Sequence, residues 1–152
     1  MITYKKGDLL EFTEDAFAHG CNCQSQMNSG VAKAVKSKFP EMYSIADCKN
    51  PTGSQDRLGT YSYIAFADGR FGINIYSQLD FRGRSEGKMD LSYGALEKGL
   101  EASCEFLVRE GKKTLALPKI GAGLAGGDWN VIEGIIKRVS DKTGIDITVY
   151  EL

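Results

Sequence analysis

The sequence predicts an α/β fold: a three-layer α/β/α arrangement around a mixed, mostly parallel six-stranded sheet. Three observations predict it. Strand-like and helix-like segments interleave, with strand–helix–strand order at both ends of the chain, which argues for parallel pairs. In the middle, Asp68-Gly69 joins two aromatic, β-rich runs, a hairpin signal that makes the sheet mixed. Finally, 152 residues at 42% hydrophobic and 26% charged are enough for one core, so a single domain over residues 1–152 is expected.

Taken in order, Ile2–Lys6 reads as the first strand and Ala16–Asn22 as the second, ending in the polar run NCQSQMNSG. Val31, Val35 and Phe39 recur at helical spacing until Pro40 stops the helix. Lys33, Lys36 and Lys38 are read as its solvated side. Cys48–Leu58 is loop by composition. Thr60–Phe66 and Phe71–Tyr76 form the hairpin, and the polar Ser77–Met89 follows. Asp90 is the expected cap of a helix that carries Leu96, Leu100 and Leu107 on one face and ends at Gly111. Thr114–Leu117 is a short apolar strand. Asp128 is the expected cap of the next helix, with Trp129, Ile132, Ile136 and Val139 as its stripe and Gly144 as its stop. Asp146–Tyr150 is the last strand. The tally is about six strands and four helices.

Composition excludes several functions. A net charge of −1 disfavours a non-specific grip on nucleic acid through phosphates. No apolar run approaches the roughly 20 residues of a membrane span, and MITYKKGDLLEF lacks the apolar core of a secretion signal. The four cysteines, Cys21, Cys23, Cys48 and Cys104, fit no common zinc spacing and read as reduced thiols. A cytoplasmic monomer without metal or cofactor is expected.

The informative stretch is GAGLAGGDW, Gly121 to Trp129, directly after an apolar strand. Gly121-x-Gly123-x-x-Gly126 formally matches the dinucleotide fingerprint, but Pro118 separates strand from glycine and Asp146 opens its strand rather than closing one. Gly83 to Met89 is one residue short of a P-loop and puts Met89 where magnesium needs a hydroxyl. What survives is the physics of a glycine turn between strand and helix: exposed backbone N–H groups and a helix dipole that suit an anion. Met27-Asn28-Ser29-Gly30-Val31 is a second such turn. Two at one sheet edge could clamp a diphosphate. Asn22 can make an Asx turn or fix a sugar hydroxyl. His19 can be a core group or a proton carrier. Asp8 can be a turn acid or an acceptor for an exocyclic amine.

Together these segments resemble the macro domain, the ADP-ribose-binding module. GDLLEF (Gly7–Phe12), HGCNCQSQMNSGVAKAVKSKFP (His19–Pro40), ALPKIGAGLAGGDW (Ala116–Trp129) and ITVYEL (Ile147–Leu152) carry the match, which spans almost the whole chain. The resemblance implies that Asp8 binds the adenine amino group, with a backbone contact from Leu9. It implies that Asn22, nine residues before Val31, faces the distal ribose. Asn28, Ser29, Gly30 and Val31 would wrap one side of the diphosphate. Pro118 and Ile120 lead into the other side, formed by Gly121, Ala122, Gly123, Leu124, Ala125 and Gly126. Leu152 would lie near the adenine.

Members of the family are readers or hydrolases. One hydrolase branch uses a lysine after the central strand, where this chain has Gln78, and an acid in the second loop, where it has Ala125. Another carries an acid after the first loop, where Ala32 stands. The ADP-ribose-1''-phosphate phosphatase branch shares His19-Gly20-Cys21-Asn22-Cys23 and a central Ser85-Glu86-Gly87-Lys88, the closest motif match. The resemblance thus implies a hydrolase acting on ADP-ribose-1''-phosphate. Asn22 would orient the ribose, and His19, Asp80 or Asp128 would handle the proton. An ADP-ribosylated macromolecule is the alternative substrate, and a non-catalytic reader the alternative role.

Overall fold

The computed structural model describes residues 1–23, 27, 30–46, 57–78, 91–122 and 126–152. Its elements are β1 (Ile2–Lys6), β2 (Ala16–Asn22), α1 (Gly30–Lys38), β3 (Tyr61–Ala65), β4 (Phe71–Gln78), α2 (Tyr93–Arg109), β5 (Thr114–Leu117), α3 (Trp129–Thr143) and β6 (Asp146–Glu151). The strands form one six-stranded sheet in the order β1-β6-β5-β2-β4-β3. Every neighbouring pair is parallel except β3–β4.

Local sequence explains most boundaries. The β3–β4 hairpin closes where Asp68 Oδ1 accepts from the Arg70 amide at 3.0 Å and Phe66 N donates to Arg70 O at 2.8 Å. The helix expected from Asp90 is capped by Ser92 instead, whose Oγ accepts from Ala95 N at 3.2 Å; Asp90 lies outside the described residues. Asp128 caps α3, and Gly144 in the left-handed region ends it. Among the described residues there are three α-helices rather than four. Two shorter turns complete the helical count, a 3₁₀ turn at Leu9–Glu11 and a π-helical turn at Met42–Ala46. The first cannot extend because Phe12 leaves it for the core.

The central strands are covered on both faces, so they read as continuous apolar runs rather than alternations. On one face α2 and α3 bury Ile73, Ile75, Leu96, Leu100, Leu107, Ile132 and Ile136 against β4, β5 and β6. On the other, α1 and the π turn bury Phe17, Met27, Val35 and Met42. These are the three layers the sequence predicts. The crossover leaving β2 runs through α1 on one face, and the crossover leaving β5 runs through α3 on the opposite face. Among the described residues no helix is long and apolar enough to cross a membrane.

Helix α2 approaches the sheet most closely at Gly99, where a Cβ would stand 2.7 Å from Ile75 Cγ2 and 3.3 Å from Thr60 O. Alanine gains about 1 kcal/mol in helix propensity over glycine. Overpacking against a fully buried, stiff isoleucine costs about 1–3 kcal/mol and wins. Gly99→Ala should therefore lower the thermal midpoint by a few degrees in calorimetry, whereas a rise would mean that α2 can shift outward at no cost.

Candidate functional site

Because β1, β6, β5, β2 and β4 are parallel, their C-terminal ends share one edge of the sheet. That edge gathers Asp8 after β1, Leu152 after β6, Pro118 to Ala122 after β5, and Asn22 at the end of β2. Gly7 N donates to Glu151 O at 2.7 Å, which sets Asp8 beside the end of β6, and Leu152 beyond it is fully exposed. Asp8 is exposed, and its Oδ1 accepts from Leu10 N at 2.9 Å. Leu9 is buried.

The ladder between β5 and β2 is short. It comprises Ala16–Leu115 and Phe17–Ala116, while β2 continues along β4 to Asn22. Pro118, which follows β5, has no N–H with which to extend it. The two strands part at the place where their crossovers take opposite faces. Open α/β sheets hold ligands at such switch points, beyond the carboxyl ends of the strands.

The loop after β5 is pinned from within. Gly121 adopts φ +78 and Gly126 φ +79, in the left-handed region that glycine favours. Gly127 N donates to Gly121 O at 2.8 Å. A Cβ on Gly127 would lie 2.7 Å from that same oxygen and 2.5 Å from Leu91 Cδ2, so the contact requires glycine. Ile120 N and Ala122 N donate to Pro118 O and Lys119 O. These three amides are therefore committed inside the loop. Lys119 Nζ reaches Glu151 Oε1 at 3.2 Å, tying the loop to the end of β6. Ile120 is buried, whereas Gly126 is exposed.

The two helix N-termini differ. Asp128 already places a carboxylate on α3: its Oδ1 accepts from Asn130 N at 2.9 Å, and its own amide donates to Tyr93 Oη at 2.9 Å. Helix α1 starts at Gly30 with no acid in its first turn, and Val31 is exposed at 43%. The positive end of a helix suits an anion. Asn28, Ser29, Gly123, Leu124, Ala125 and Asp80 lie outside the described residues.

Asn22 sits 6% exposed at the end of β2, opposite Gln78 of β4, across a shift in register. Behind it lies a buried polar network. His19 is fully buried, and its ring pairs with Asn74 Oδ1 through Nε2 at 2.7 Å. Asn74 Nδ2 donates to Met42 O at 2.9 Å and Ser62 Oγ at 3.1 Å. The amide oxygen must then face the imidazole, so Nε2 carries the proton and donates. Burial pushes the His19 imidazole down to about 4, against a smaller upward pull from Asn74. His19 stands three residues below the strand end, roughly 10 Å down β2. Its geometry is that of a neutral structural histidine. Arg57, also buried, donates from Nη1 to Cys23 O at 3.0 Å and stacks over the Tyr76 ring at 4.2 Å. It fixes the backbone one residue beyond Asn22.

Sequence reasoning passed over Gly127, Tyr93, Arg57 and Gly20. Gly127 and Gly20 carried a signal: the first doubles a glycine ahead of a cap, and the second interrupts a strand, a mark of close approach. Tyr93 and Arg57 carried none, since their contacts join distant segments. Among the described residues no cluster of three or more His, Cys, Asp or Glu side chains is placed to hold a metal ion.

No protein-family model matches the chain, but individual proteins do. It is 32% identical over 152 residues to the ADP-ribose glycohydrolase OARD1 of Homo sapiens, covering 99% of this chain and 91% of that protein. It is 29% identical to the ADP-ribose 1''-phosphate phosphatase of Debaryomyces hansenii, covering 99% and 98%. Among solved structures, the macrodomain of Mycobacterium tuberculosis DarG superposes with a TM-score of 0.82 at 22% identity, over 100% of this chain and 98% of that one. Thermosipho africanus DarTG in complex with ADP-ribose gives 0.77 at 21% identity, over 97% and 41%. At these identities the superpositions establish the fold.

The histidine makes a testable contribution to stability. Its folded-state pKa of about 4 lies below the ordinary 6.5, so the unfolded chain takes up the proton first as pH falls. Stability is complete above pH ~6.5 and is lost between there and pH ~4. Urea melts at pH 7.5 and 4.5 should show wild type losing about 2–3 kcal/mol more than His19→Gln, which cannot titrate. Equal losses would place the imidazole in water.

Proposed function

The chain belongs to the macro domain family, and on that premise we propose that it binds ADP-ribose and hydrolyses a derivative of it, ADP-ribose-1''-phosphate. The observation that carries the reading is the parting of β5 from β2, with α1 beginning at Gly30 after β2 and the glycine-rich stretch from Gly121 following β5. Asp8 would accept from the adenine amine at the β1 end, beside Leu9 and Leu152. The diphosphate would lie across the gap. Asn28 to Val31 and the positive end of α1 would take one side of it. Gly121 and the residues through Gly126 would take the other, excluding the amides already committed within the loop. Asn22 would hold the distal ribose. The relative in Debaryomyces hansenii is named for this phosphatase activity.

In the reaction, a water oxygen attacks phosphorus, the P–O bond to the distal ribose breaks, and the ribose oxygen leaves with a proton. His19 is committed to Asn74 and Asp128 to its cap, so Asp80 is the carboxylate we put forward for the proton. Help of this kind is worth about 10²–10⁴-fold. The protein would act as a cytoplasmic monomer. A second reading, removal of ADP-ribose from a modified protein or nucleic acid, draws on the 32% identity to a relative named as a glycohydrolase.

Calorimetry should detect ADP-ribose binding; none at high micromolar concentration would remove both readings. Phosphate should be released from ADP-ribose-1''-phosphate, about 100-fold more slowly by Asn22→Ala and Asp80→Asn. Asp128→Asn keeps the cap and should keep the rate. Binding without phosphate release, together with cleavage of an ADP-ribosylated protein or strand, would favour the glycohydrolase. Binding with neither activity would leave a reader.

A further inference from the structure

Leu91, Ser92 and Tyr93 lead into α2 and reach three other parts of the fold. Leu91 forms an isolated antiparallel bridge with Gln78 at the end of β4, and Ser92 N donates to Ser77 O at 2.8 Å. Ser92 Oγ caps α2. Tyr93 Oη accepts from the amide of Asp128, the cap of α3. The backbone of Leu91 is thus held against β4 at the residue that pairs with Asn22.

Its side chain is buried and packs against the loop after β5. A Cβ on Gly121 would stand 2.9 Å from Leu91 Cδ2, and a Cβ on Gly127 would stand 2.5 Å from the same methyl. The two bare Cα atoms therefore flank one methyl group. They belong to the two residues whose hydrogen bond, Gly127 N to Gly121 O, closes the loop. Ile132 Cδ1 of α3 backs the pair, at 3.3 Å and 2.9 Å from the same two Cβ positions. Leu91 and Ile132 form an apolar seat for the neck of the loop. Glycine loses more conformational freedom on ordering than any other residue, so a loop rich in it gains most from a support that shapes it before a ligand arrives.

We propose that Leu91 is a positioning residue for the diphosphate: its side chain sets the shape of the glycine loop from outside, so the loop meets the ligand already formed. This rests on the ADP-ribose reading above. Leu91 itself touches no ligand and acts through Gly121 and Gly127. Without its methyl groups the neck of the loop loses its seat, and binding must then bear the cost of ordering it. The diphosphate is common to ADP-ribose and ADP, so the effect falls on both.

The test compares Leu91→Ala with Leu107→Ala in the full-length chain. Leu107 lies near the other end of α2, buried in the same apolar cluster, so both truncations should lower the thermal midpoint. Calorimetric titrations are run at a temperature where every protein is folded. Leu91→Ala should weaken ADP-ribose and ADP alike, by about tenfold, while Leu107→Ala stays within about twofold of wild type. Without ligand, the Gly127 amide should exchange its hydrogen about fivefold faster in Leu91→Ala than in Leu107→Ala. Should alanine at position 91 fail to fold, Leu91→Val withdraws the same methyl more gently and should weaken both ligands about threefold. Equal affinities in the two alanine variants would overturn the assignment, and so would a loss for ADP-ribose that spares ADP, or a Gly127 amide that exchanges alike in both. If wild type itself binds no ADP-ribose, the ADP-ribose reading falls and takes the diphosphate role with it. If wild type binds and Leu91→Ala matches Leu107→Ala, only the assignment falls.

Discussion

The structure depends on a ladder that stops early. Strands β5 and β2 pair at only Ala16–Leu115 and Phe17–Ala116 before parting. A longer ladder would close the sheet edge and leave the two glycine turns with nothing between them. Pro118 is well suited to end it, having no amide to offer the next rung. The crossovers then separate, β2 feeding the α1 face and β5 the α3 face. A place for an extended anion follows from topology before any side chain is considered.

Holding the lips of the opening takes two different devices. The β5 side is held chiefly by backbone, Gly127 to Gly121 with no room for a side chain at Gly127, and by Lys119 on Glu151. The β2 side is held by a buried polar network. His19, Asn74, Ser62 and Tyr76 join β2, β4 and β3, and Arg57 grips Cys23 just past Asn22. Buried polar contacts of this kind favour one arrangement, because an alternative would strand further polar groups in the core. The same network removes His19 from proton chemistry. Its proton is aimed at Asn74, and burial keeps the ring neutral at physiological pH.

Much of this was legible in the residues. Strand order at the two ends, the Asp68-Gly69 hairpin, the caps at Asp128 and Gly144, and the apolar stripe of Leu96, Leu100 and Leu107 follow from local periodicity and turn chemistry. Both glycine turns announced themselves by composition. What escaped depends on contacts between distant segments. His19 and Asn74 lie 55 residues apart, and only the sheet register sets them face to face. Arg57 sits in a stretch that reads as polar loop, yet it is buried over Tyr76. Ser77 reads as the first residue of a loop, whereas the ladder carries β4 two residues further and skips it. Local sequence cannot report a register shift, since the shift is a property of two strands at once.

The central claim is that one ligand spans the edge from β1 to β2 across the gap beside β5. Backbone amide shifts of the isotope-labelled protein, followed as ADP-ribose is added, test this most directly. The account predicts that the shifting amides concentrate at Asp8, Asn22, Gly30, Gly121 and Gly126, with the α2 and α3 outer faces unmoved. Shifts confined to the α2–α3 face or to the β3 edge, with those five amides still, would contradict it.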